Sequence, residues 1–338
     1  MFVLNPFHID LGIDLGTANT IIYAKERGFV CNQASYIALD QEDKIVAIGN
    51  AAKEMMGKTP GSIKVVRPLV DGVISDFEAG DAFIKGSIKQ ANISKIRIGR
   101  VVMGVPTQAS EVEKRAMIKS AILAGAKEVH LIAEPMAAAI GLNQDVMGGS
   151  ANMLVDIGGG TTDVAVINYG GIVVDNTIRI AGDDLDKAIA SYLKYKYNIK
   201  IGLVTAEKLK TKFITLFETN NSDVFTFKSI DLIKGMVKKF EFPVEIFKEA
   251  IKEVIDEIIN AILHVLEILP AELCSDIINY GITLTGGGSQ LPGLDSMIKK
   301  EAGVIVHVAE NPLFSVADGM KKVLHDFKYY NRIIMQSS

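Results

Sequence analysis

Two short stretches of the chain combine glycines with a carboxylate and hydroxyls at matching positions. DLGTANT begins at Asp14, DIGGGTTD begins at Asp156, and a third glycine run, TGGGSQLPG, begins at Thr285. Glycine loops bind phosphate because their missing side chains let backbone amides approach the oxygens. A carboxylate beside such a loop suits Mg²⁺, a hard cation. One loop alone is typical of an ordinary hairpin turn, but three of them, two led by Asp, indicate a site for a phosphorylated ligand.

Each glycine loop follows an apolar run that predicts a buried strand. Residues 8–30 and 153–180 both have the pattern strand, glycine turn, strand, so one hairpin is predicted twice. Between them, Ser110 and Glu113 form a capping-box pattern for a helix that Gly125 ends. Strands that alternate with helices predict an α/β fold. The repeat predicts two similar halves that share one ligand.

The rest of the second half has one strongly periodic segment and one without a clear pattern. Apolar residues recur on one face from 246 to 269, which predicts a long amphipathic helix. The segment 211–245 looks irregular, and the glycine-rich run 144–152 is where we expect the two halves to join.

The composition favours a large cytoplasmic protein with buried interfaces. Hydrophobic residues make up 49% of the 338 residues, and the formal net charge is −4 without a basic block that would suggest nucleic acid. Cys31 and Cys274 belong to no metal or redox spacing, which fits a reducing compartment. No apolar run is long enough to span a membrane, and the N-terminus lacks the features of a secretory signal.

The motifs resemble those of the actin, sugar-kinase and heat-shock ATPase superfamily, and within it the MreB family of bacterial actins. The similar motifs are, in order, IDLGTANT, RPLVDGVISDFE, GVPTQASEVEKRA, AGAKEVHLIAEPMAAAIG, VDIGGGTTDVAVI, TAEKLK and LTGGGSQLPGL. The resemblance implies an actin-like fold, with two RNase H-like halves around a nucleotide cleft. It implies a first half of residues 1–145 (small subdomain about 33–66), a second half of 146–310 (small subdomain about 182–245), and a C-terminal segment, 311–338, that returns to the first half.

The resemblance also implies a site for ATP or ADP with Mg²⁺. Asp14 and Asp156 would hold Mg²⁺ through water, although either could be a turn acid at a strand end. The phosphates would lie between two loops, formed by Gly16, Thr17, Ala18 and Asn19 on one side and by Gly158, Gly159, Gly160 and Thr161 on the other. From the residues alone, either Thr could instead only stabilise its own turn.

Catalysis is assigned by the resemblance to Glu134, together with Thr161 and Asp156. Glu134 and Thr161 would hold the water that attacks the γ-phosphate, because in-line attack needs an oriented nucleophile. The alternative for Glu134 is purely structural. It precedes Pro135, and a carboxylate at that position favours a helix N-terminus electrostatically.

The ribose and base would contact Glu207 and Lys210, together with Gly286, Gly287, Gly288 and Ser289. The alternative for Glu207 and Lys210 is an exposed ion pair on one helix face. Asp318 stands where the resemblance predicts a small residue, near the hinge between the halves, and its effect on closure is left open.

The implied function is that of a membrane-associated cytoskeletal filament protein whose slow ATPase activity controls polymerisation and which determines cell shape or serves motility. Implied partners are other copies in antiparallel double protofilaments, the inner face of the cell membrane, other bacterial actin paralogues and membrane cell-shape proteins. Candidate membrane segments are 1–7, 93–99 and the basic aromatic tail 321–334, each of which could instead belong to the fold. Two alternatives are a chaperone-type ATPase, for which no substrate domain follows, and a small-molecule kinase, for which no substrate motif is found.

Overall fold

The computed structural model describes residues 8–217 and 224–335. In these two ranges the strands are β1 (Ile9–Leu15), β2 (Asn19–Ala24), β3 (Gly28–Ala34), β4 (Ile37–Leu39), β5 (Ile45–Ile48), β6 (Lys64–Val66), β7 (Leu69–Val70), β8 (Val73–Ile74), β9 (Ile98–Val105), β10 (Glu128–Ala133), β11 (Asn152–Ile157), β12 (Thr162–Asn168), β13 (Gly171–Ile178), β14 (Ile199–Lys200), β15 (Val224–Asp231), β16 (Met236–Pro243), β17 (Ile282–Thr285) and β18 (Val306–Val308). The α-helices in the same ranges are α1 (Asn50–Met55), α2 (Phe77–Gln90), α3 (Glu111–Leu123), α4 (Glu134–Gly141), α5 (Gly182–Tyr197), α6 (Leu203–Phe213), α7 (Ile246–Glu267), α8 (Ala271–Tyr280), α9 (Leu294–Ala302), α10 (Ser315–His325) and α11 (Phe327–Tyr330). Single 3₁₀ turns lie at Lys95–Arg97, Gly287–Gln290 and Asn331–Ile333.

Two five-stranded sheets with the same topology dominate the molecule. The strand orders are β10-β9-β1-β2-β3 and β13-β12-β11-β17-β18. In each sheet the central strand pairs antiparallel with the next strand along the chain and parallel with a strand that returns after helices. The repeated hairpin predicted from the sequence is therefore present, and it places both glycine turns at matching ends of the two sheets.

The register of the two hairpins places the leading acids just inside their turns. Asp14 on β1 pairs with Ile21 on β2, and Asp156 on β11 pairs with Asp163 on β12. The apolar neighbours of these acids fill the cores, so each acid stands where a buried strand ends.

Each half also carries a small three-stranded sheet. One has the order β5-β4-β6 and packs with α1, and the other has the order β14-β15-β16. The expectation that 211–245 is irregular is wrong for most of that segment, because β15 and β16 form a hairpin with eight residue pairs in register. Phenylalanines alternate with polar or charged residues on both strands, and the stacked rings of Phe225, Phe227, Phe240 and Phe242 hold the strands together. Residues 218–223 lie outside the described ranges.

The predicted helices form where their end signals and periodicity place them. Ser110 and Glu113 make the reciprocal capping-box bonds at the start of α3, and Gly125, just beyond its end, has φ +112°. Helix α7 buries one face against the second sheet and ends at Glu267, slightly before the predicted limit.

Helix α10 packs on α4 and on β1 of the first sheet. The two helices touch backbone to backbone: a Cβ on Gly141 would meet the Ser315 carbonyl, and a Cβ on Gly319 would meet the Ala137 carbonyl. Beyond α10 the chain continues along the first sheet, where the Met335 amide donates to the Leu131 carbonyl at 2.8 Å.

Among the described residues, no helix combines the length and the apolar character needed to cross a membrane.

Candidate functional site

A cleft of about 550 Å³ lies where the glycine turns of the two hairpins face each other. This volume is in the usual range for small-molecule sites. The cleft is lined by every residue assigned to the site from the sequence except Ser289, that is by Asp14, Gly16, Thr17, Ala18, Asn19, Glu134, Asp156, Gly158, Gly159, Gly160, Thr161, Glu207, Lys210, Gly286, Gly287 and Gly288.

The two glycine loops approach each other so closely that side chains are excluded between them. A Cβ on Gly159 would lie 2.7 Å from the Ala18 Cβ, and a Cβ on Gly160 would lie 2.8 Å from the Thr17 Oγ1. Backbone amides are therefore the groups that these loops can offer to a ligand, as expected for a phosphate cradle.

The first loop is held in shape by residues on both sides of the cleft. The Thr17 hydroxyl accepts from the Gly72 amide at 2.7 Å, which leaves its backbone rather than its hydroxyl to face a ligand. Arg67 donates to the Thr17 carbonyl at 2.9 Å and forms an ion pair of 2.8 Å with Asp183 at the start of α5. Arg67 lies in a motif noted in the sequence, but its role depends on Asp183, far away in the chain.

Three carboxylates line the inner part of the cleft, Asp14, Glu134 and Asp156, and a fourth, Asp163, is buried opposite Asp156 on the neighbouring strand. None of them forms an ion pair with a Lys, Arg or His in the part of the chain that the structure describes. Burial raises the pKa of Asp14 to about 7, and burial with the nearby Asp163 and Asp14 raises that of Asp156 to about 8. Burial, then Asp163, Asp14 and Asp156, raise the pKa of Glu134 well above its usual value. These carboxylates are therefore more stable in the cleft when they are protonated or when a cation is bound beside them.

The arrangement fits a cation that binds partly through water. The described residues contain no group of three or more His, Cys, Asp or Glu side chains placed to coordinate a metal together. Mg²⁺ usually keeps several waters and takes only one or two carboxylates plus phosphate oxygens. Asp14 and Asp156, whose mutual repulsion a cation would relieve, match that donor set.

Glu134 and Thr161 line the same cleft from different halves. Glu134 is the first residue of α4, and Gly104 passes so close that a Cβ there would lie 3.2 Å from the Glu134 Cγ. It therefore lies both at a helix N-terminus and in the cleft, where its carboxylate can favour the helix and face a ligand. Thr161 is 6% exposed and precedes β12 directly.

Glu207 and Lys210, on α6, each pair with a different residue. Glu207 forms an ion pair of 2.7 Å with Lys53 on α1, and Lys210 forms one of 3.0 Å with Asp186. Lys210 also donates to the Gly182 carbonyl at 2.6 Å. The alternative prediction, an exposed ion pair between Glu207 and Lys210, is wrong because both side chains point to partners on other elements.

The third glycine loop closes the cleft beside the second sheet. Gly286 has φ +78°, and a Cβ there would collide with the Asp156 carboxylate and the Ile157 carbonyl. Ser289 is buried and donates to the Gly286 carbonyl at 2.7 Å, so its side chain stabilises the loop instead of lining the cleft. Apolar side chains complete this wall, namely Ile214, Leu291, Pro292, Leu313 and Val316.

The tail and Asp318 lie away from the cleft. Lys322 donates to the carbonyls of Ile140 and Gly141 at the end of α4, and Arg100 lies 3.7 Å from the centre of the Phe327 ring. The tail is thus packed on its own half, as its alternative interpretation held. Asp318 is partly exposed on α10, with its carboxylate 3.8 Å from the Lys321 ammonium. Residues 1–7 lie outside the described ranges.

Comparison of the sequence with known proteins points to one family. Residues 8–332 match the profile of the MreB/Mbl protein family. The sequence is 42% identical to the cell shape-determining protein Mbl of Bacillus subtilis over 315 residues, which are 93% of this chain and 95% of the relative. It is also 42% identical to the cell shape-determining protein MreB of Escherichia coli over 325 residues, 94% of each chain.

A solved structure has the same fold along nearly the whole chain. MreB5 of Spiroplasma citri bound to AMPPNP matches with a TM-score of 0.91 and 31% identity, over 97% of this chain and 99% of that one. The same protein bound to ADP gives 0.90 and 32%, over 96% and 98%. The actin-like fold predicted from the sequence is therefore confirmed.

Proposed function

The chain belongs to the MreB/Mbl family of actin-like, cell shape-determining proteins, and from that premise we propose that it is a filament-forming ATPase at the inner face of the cell membrane. The observation that carries the ATPase proposal is the cleft itself. Two facing glycine loops offer backbone amides, and three carboxylates without cationic partners among the described residues, Asp14, Glu134 and Asp156, line the same cleft. A chaperone-type ATPase is not favoured, since the family match covers residues 8–332.

We infer that ATP lies with its phosphates between the two glycine loops and its adenosine toward α6 and the third loop. The nucleotide-bound structures of the Spiroplasma relative support a nucleotide site. In this chain, Gly16–Asn19 and Gly158–Thr161 would bind the phosphates. Glu207, Lys210 and the apolar wall would bind the nucleoside, with Gly286–Gly288 beside them.

Hydrolysis would use Glu134 and Thr161 as the groups that hold the attacking water. The water oxygen forms a bond to the γ-phosphorus, the bond to the β,γ-bridging oxygen breaks, and ADP leaves with that electron pair. Glu134 accepts the proton from the water, and burial together with the neighbouring carboxylates raises its pKa, which makes the ionised form a stronger base. Mg²⁺, held by Asp14 and Asp156, would neutralise charge on the phosphates.

Assembly into filaments is proposed from the family and from exposed apolar residues. At the end of the β15–β16 hairpin, Ile233 is 77% and Val237 70% exposed, and Lys234 and Lys238 lie beside them. Exposed apolar clusters of this kind mark contact sites, and identical subunits that join through unlike surfaces form open polymers. We propose protofilaments that pair antiparallel, with other actin paralogues and membrane cell-shape proteins as further partners.

Membrane association is proposed for the 3₁₀ turn Lys95–Arg97. Ile96 is 82% exposed between two basic residues, a combination that suits an anionic lipid surface. We also propose that residues 1–145 and 146–310 are the two units that move on nucleotide binding, with 311–338 packed on the first.

One set of measurements tests this function. Purified protein is mixed with ATP and Mg²⁺, with and without vesicles that contain anionic lipid, and phosphate release and pelleting are followed together. We expect the protein to pellet above a critical concentration when ATP is present, and to release phosphate slowly. When vesicles are present, we expect the polymer to sediment together with them. Protein that stays in the supernatant and releases no phosphate at any concentration would contradict the proposal. An Ile96→Glu variant should lose vesicle binding, whereas a Val112→Glu variant, at another exposed apolar site on α3, should keep it.

A further inference from the structure

The guanidinium of Arg67 connects the two halves directly beside the first glycine loop. Arg67 lies between β6 and β7 of the first half, and Asp183 lies in the first turn of α5 in the second half. Nη1 of Arg67 is 2.8 Å from one oxygen of the Asp183 carboxylate, and Nη2 donates to the other oxygen at 3.2 Å. Nη2 also donates to the Thr17 carbonyl at 2.9 Å. The Arg67–Asp183 pair is therefore bidentate, the stronger form of an Arg–carboxylate contact.

The backbone extends this connection to the second glycine loop. The amide of Asp183 donates to the Gly159 carbonyl at 2.8 Å. A chain of hydrogen bonds thus runs from Thr17 in the first loop, through Arg67 and Asp183, to Gly159 in the second loop. Among the described residues no hydrogen bond joins these two loops directly. The position of one loop relative to the other is therefore set in part by the Arg67–Asp183 pair.

The surroundings of the pair favour a fixed geometry. The side chains of Arg67 and Asp183 are each 21% exposed, so water screens their attraction less than it would at an open surface. The buried ring of Tyr36 has its centre 5.4 Å from the guanidinium carbon, within the range of a cation–π contact. A cavity of about 40 Å³ is lined by both members of the pair and shares Ala18 and Asp183 with the main cleft. The pair thus lies at the edge of the cleft, beside the proposed position of the phosphates.

We propose that the Arg67–Asp183 pair sets the spacing of the two glycine loops, and that Arg67 is a positioning residue for the binding and hydrolysis of ATP. Arg67 does not itself line the main cleft, so it acts on a ligand through Thr17 and Asp183. A triphosphate reaches further between the loops than a diphosphate, and its terminal phosphate therefore depends more on their spacing. This inference rests on the proposed ATPase function and adds to it a residue outside the cleft.

The first test is Arg67→Ala, with the affinities for Mg-ATP and Mg-ADP and single-turnover phosphate release measured on one preparation. We expect the ATP dissociation constant to rise ~10-fold or more, as for the loss of a charged hydrogen bond, and the ADP constant to rise by less than about threefold. Phosphate release at saturating ATP should also slow, because the terminal phosphate is held less firmly. Lys64→Ala is the matched control, since Lys64 is exposed on neighbouring β6 and lines neither cavity. It should leave all three values unchanged.

Substitutions at Asp183 separate the spacing of the loops from a general effect on the fold. If Arg67 acts through Asp183, adding Arg67→Ala to Asp183→Ala should lower the preference for ATP over ADP no further than Asp183→Ala alone. Arg67→Lys keeps the charge without the forked geometry, so it should restore only part of this preference. Asp183→Asn, which keeps the shape of the side chain and should also lower the preference, serves if Arg67→Ala folds poorly. Multiplicative effects in the double variant, or equal losses of affinity for ATP and ADP, would overturn the proposal.

The outcomes distinguish this inference from the function on which it rests. A wild-type protein that neither binds ATP nor releases phosphate overturns the ATPase function, and this proposal falls with it. A wild-type protein that hydrolyses ATP, beside an Arg67→Ala variant with the same affinities for ATP and ADP, overturns the positioning role alone.

Discussion

Lys53 on α1 and Glu207 on α6 form an ion pair of 2.7 Å that joins the small sheet of one half to the other half at the edge of the cleft. Both side chains are partly buried, and Lys53 also lies 5.9 Å from the centre of the Tyr36 ring. Like the Arg67–Asp183 pair, it bridges the halves beside the first glycine loop. We therefore expect a nucleotide that contacts Glu207 to pass this ion pair when it enters or leaves the cleft.

Lys53→Ala should speed nucleotide release. A partly exposed ion pair contributes up to about 1 kcal/mol, so we expect the release rate of a fluorescent ATP analogue to rise roughly two- to fivefold. Stopped-flow displacement measures this rate. Lys58→Ala, at an exposed position just after the same helix, is the control. If both variants release at the wild-type rate, the ion pair does not restrain the nucleotide.

Glu134→Ala should stop hydrolysis without loss of binding. If Glu134 only favours a helix N-terminus, the substitution costs about 0.3–1 kcal/mol of stability and leaves the rate nearly intact. If it takes the proton from water, phosphate release falls by ~10²-fold or more. Glu111→Ala is the matched control because Glu111 is likewise the first residue of a helix, but on the exposed α3. Unchanged release in a folded Glu134→Ala variant would return this residue to a structural role.

Asp156→Asn should weaken binding of Mg-ATP but not of ATP alone. The variant removes a proposed metal anchor, and it also removes one of the charges that repel the phosphates. We therefore expect the ratio of affinities with and without Mg²⁺ to fall by ~10-fold or more, about 1.4 kcal/mol. Calorimetric titrations with Mg²⁺ and with EDTA give both constants. Equal losses under the two conditions would argue that Asp156 supports the loop and not the metal.

The nucleotide-free protein should lose stability as the pH rises from about 5 to about 8. The pKa values of Asp14 and Asp156 are raised to about 7 and about 8 in the fold, whereas both groups titrate near 3.9 in an unfolded chain. Between these values the folded state binds more protons, so stability falls with pH by up to about 1.4 kcal/mol per pH unit for each group. Below about pH 4 both states are protonated and this loss is absent.

Urea unfolding in EDTA at several pH values measures this dependence. Asp156→Asn should reduce the slope, whereas Asp175→Asn, outside the cleft, should not. A slope that is the same in all three proteins would mean that Asp156 is already ionised at low pH in the fold.

Local sequence patterns were sufficient to predict the loops and the acidic residues around which the site is built. The glycine loops, their leading acids and the capping box of α3 are set by nearby residues, so spacing alone predicts them. The motifs then placed sixteen of the assigned residues around one cleft. Ser289 is the exception, because its hydroxyl is used by the turn it belongs to.

The contacts that sequence reasoning missed are long-range. Arg67 meets Asp183, Lys53 meets Glu207, and Thr107 meets Asp163, each pair separated by far more chain than a local pattern covers. The β15–β16 hairpin was missed for a related reason. Its ring stacking depends on a strand partner, and the polar and charged residues that alternate with the phenylalanines make either strand look polar.

The close contact of α4 and α10 makes the C-terminal segment a mechanical link between sites. The first residue of α10, Ser315, is hydrogen-bonded at 2.7 Å to Thr285, which precedes the third glycine loop, and its last, His325, at 2.8 Å to Tyr23 on β2. At Gly141 and Gly319 the backbones of the two helices lie in direct contact, with no side chain between them. We therefore expect a shift of the third loop to displace α4, whose first residue is Glu134. In the proposed orientation of ATP, α10 would connect the end of the cleft assigned to the nucleoside with the end assigned to hydrolysis.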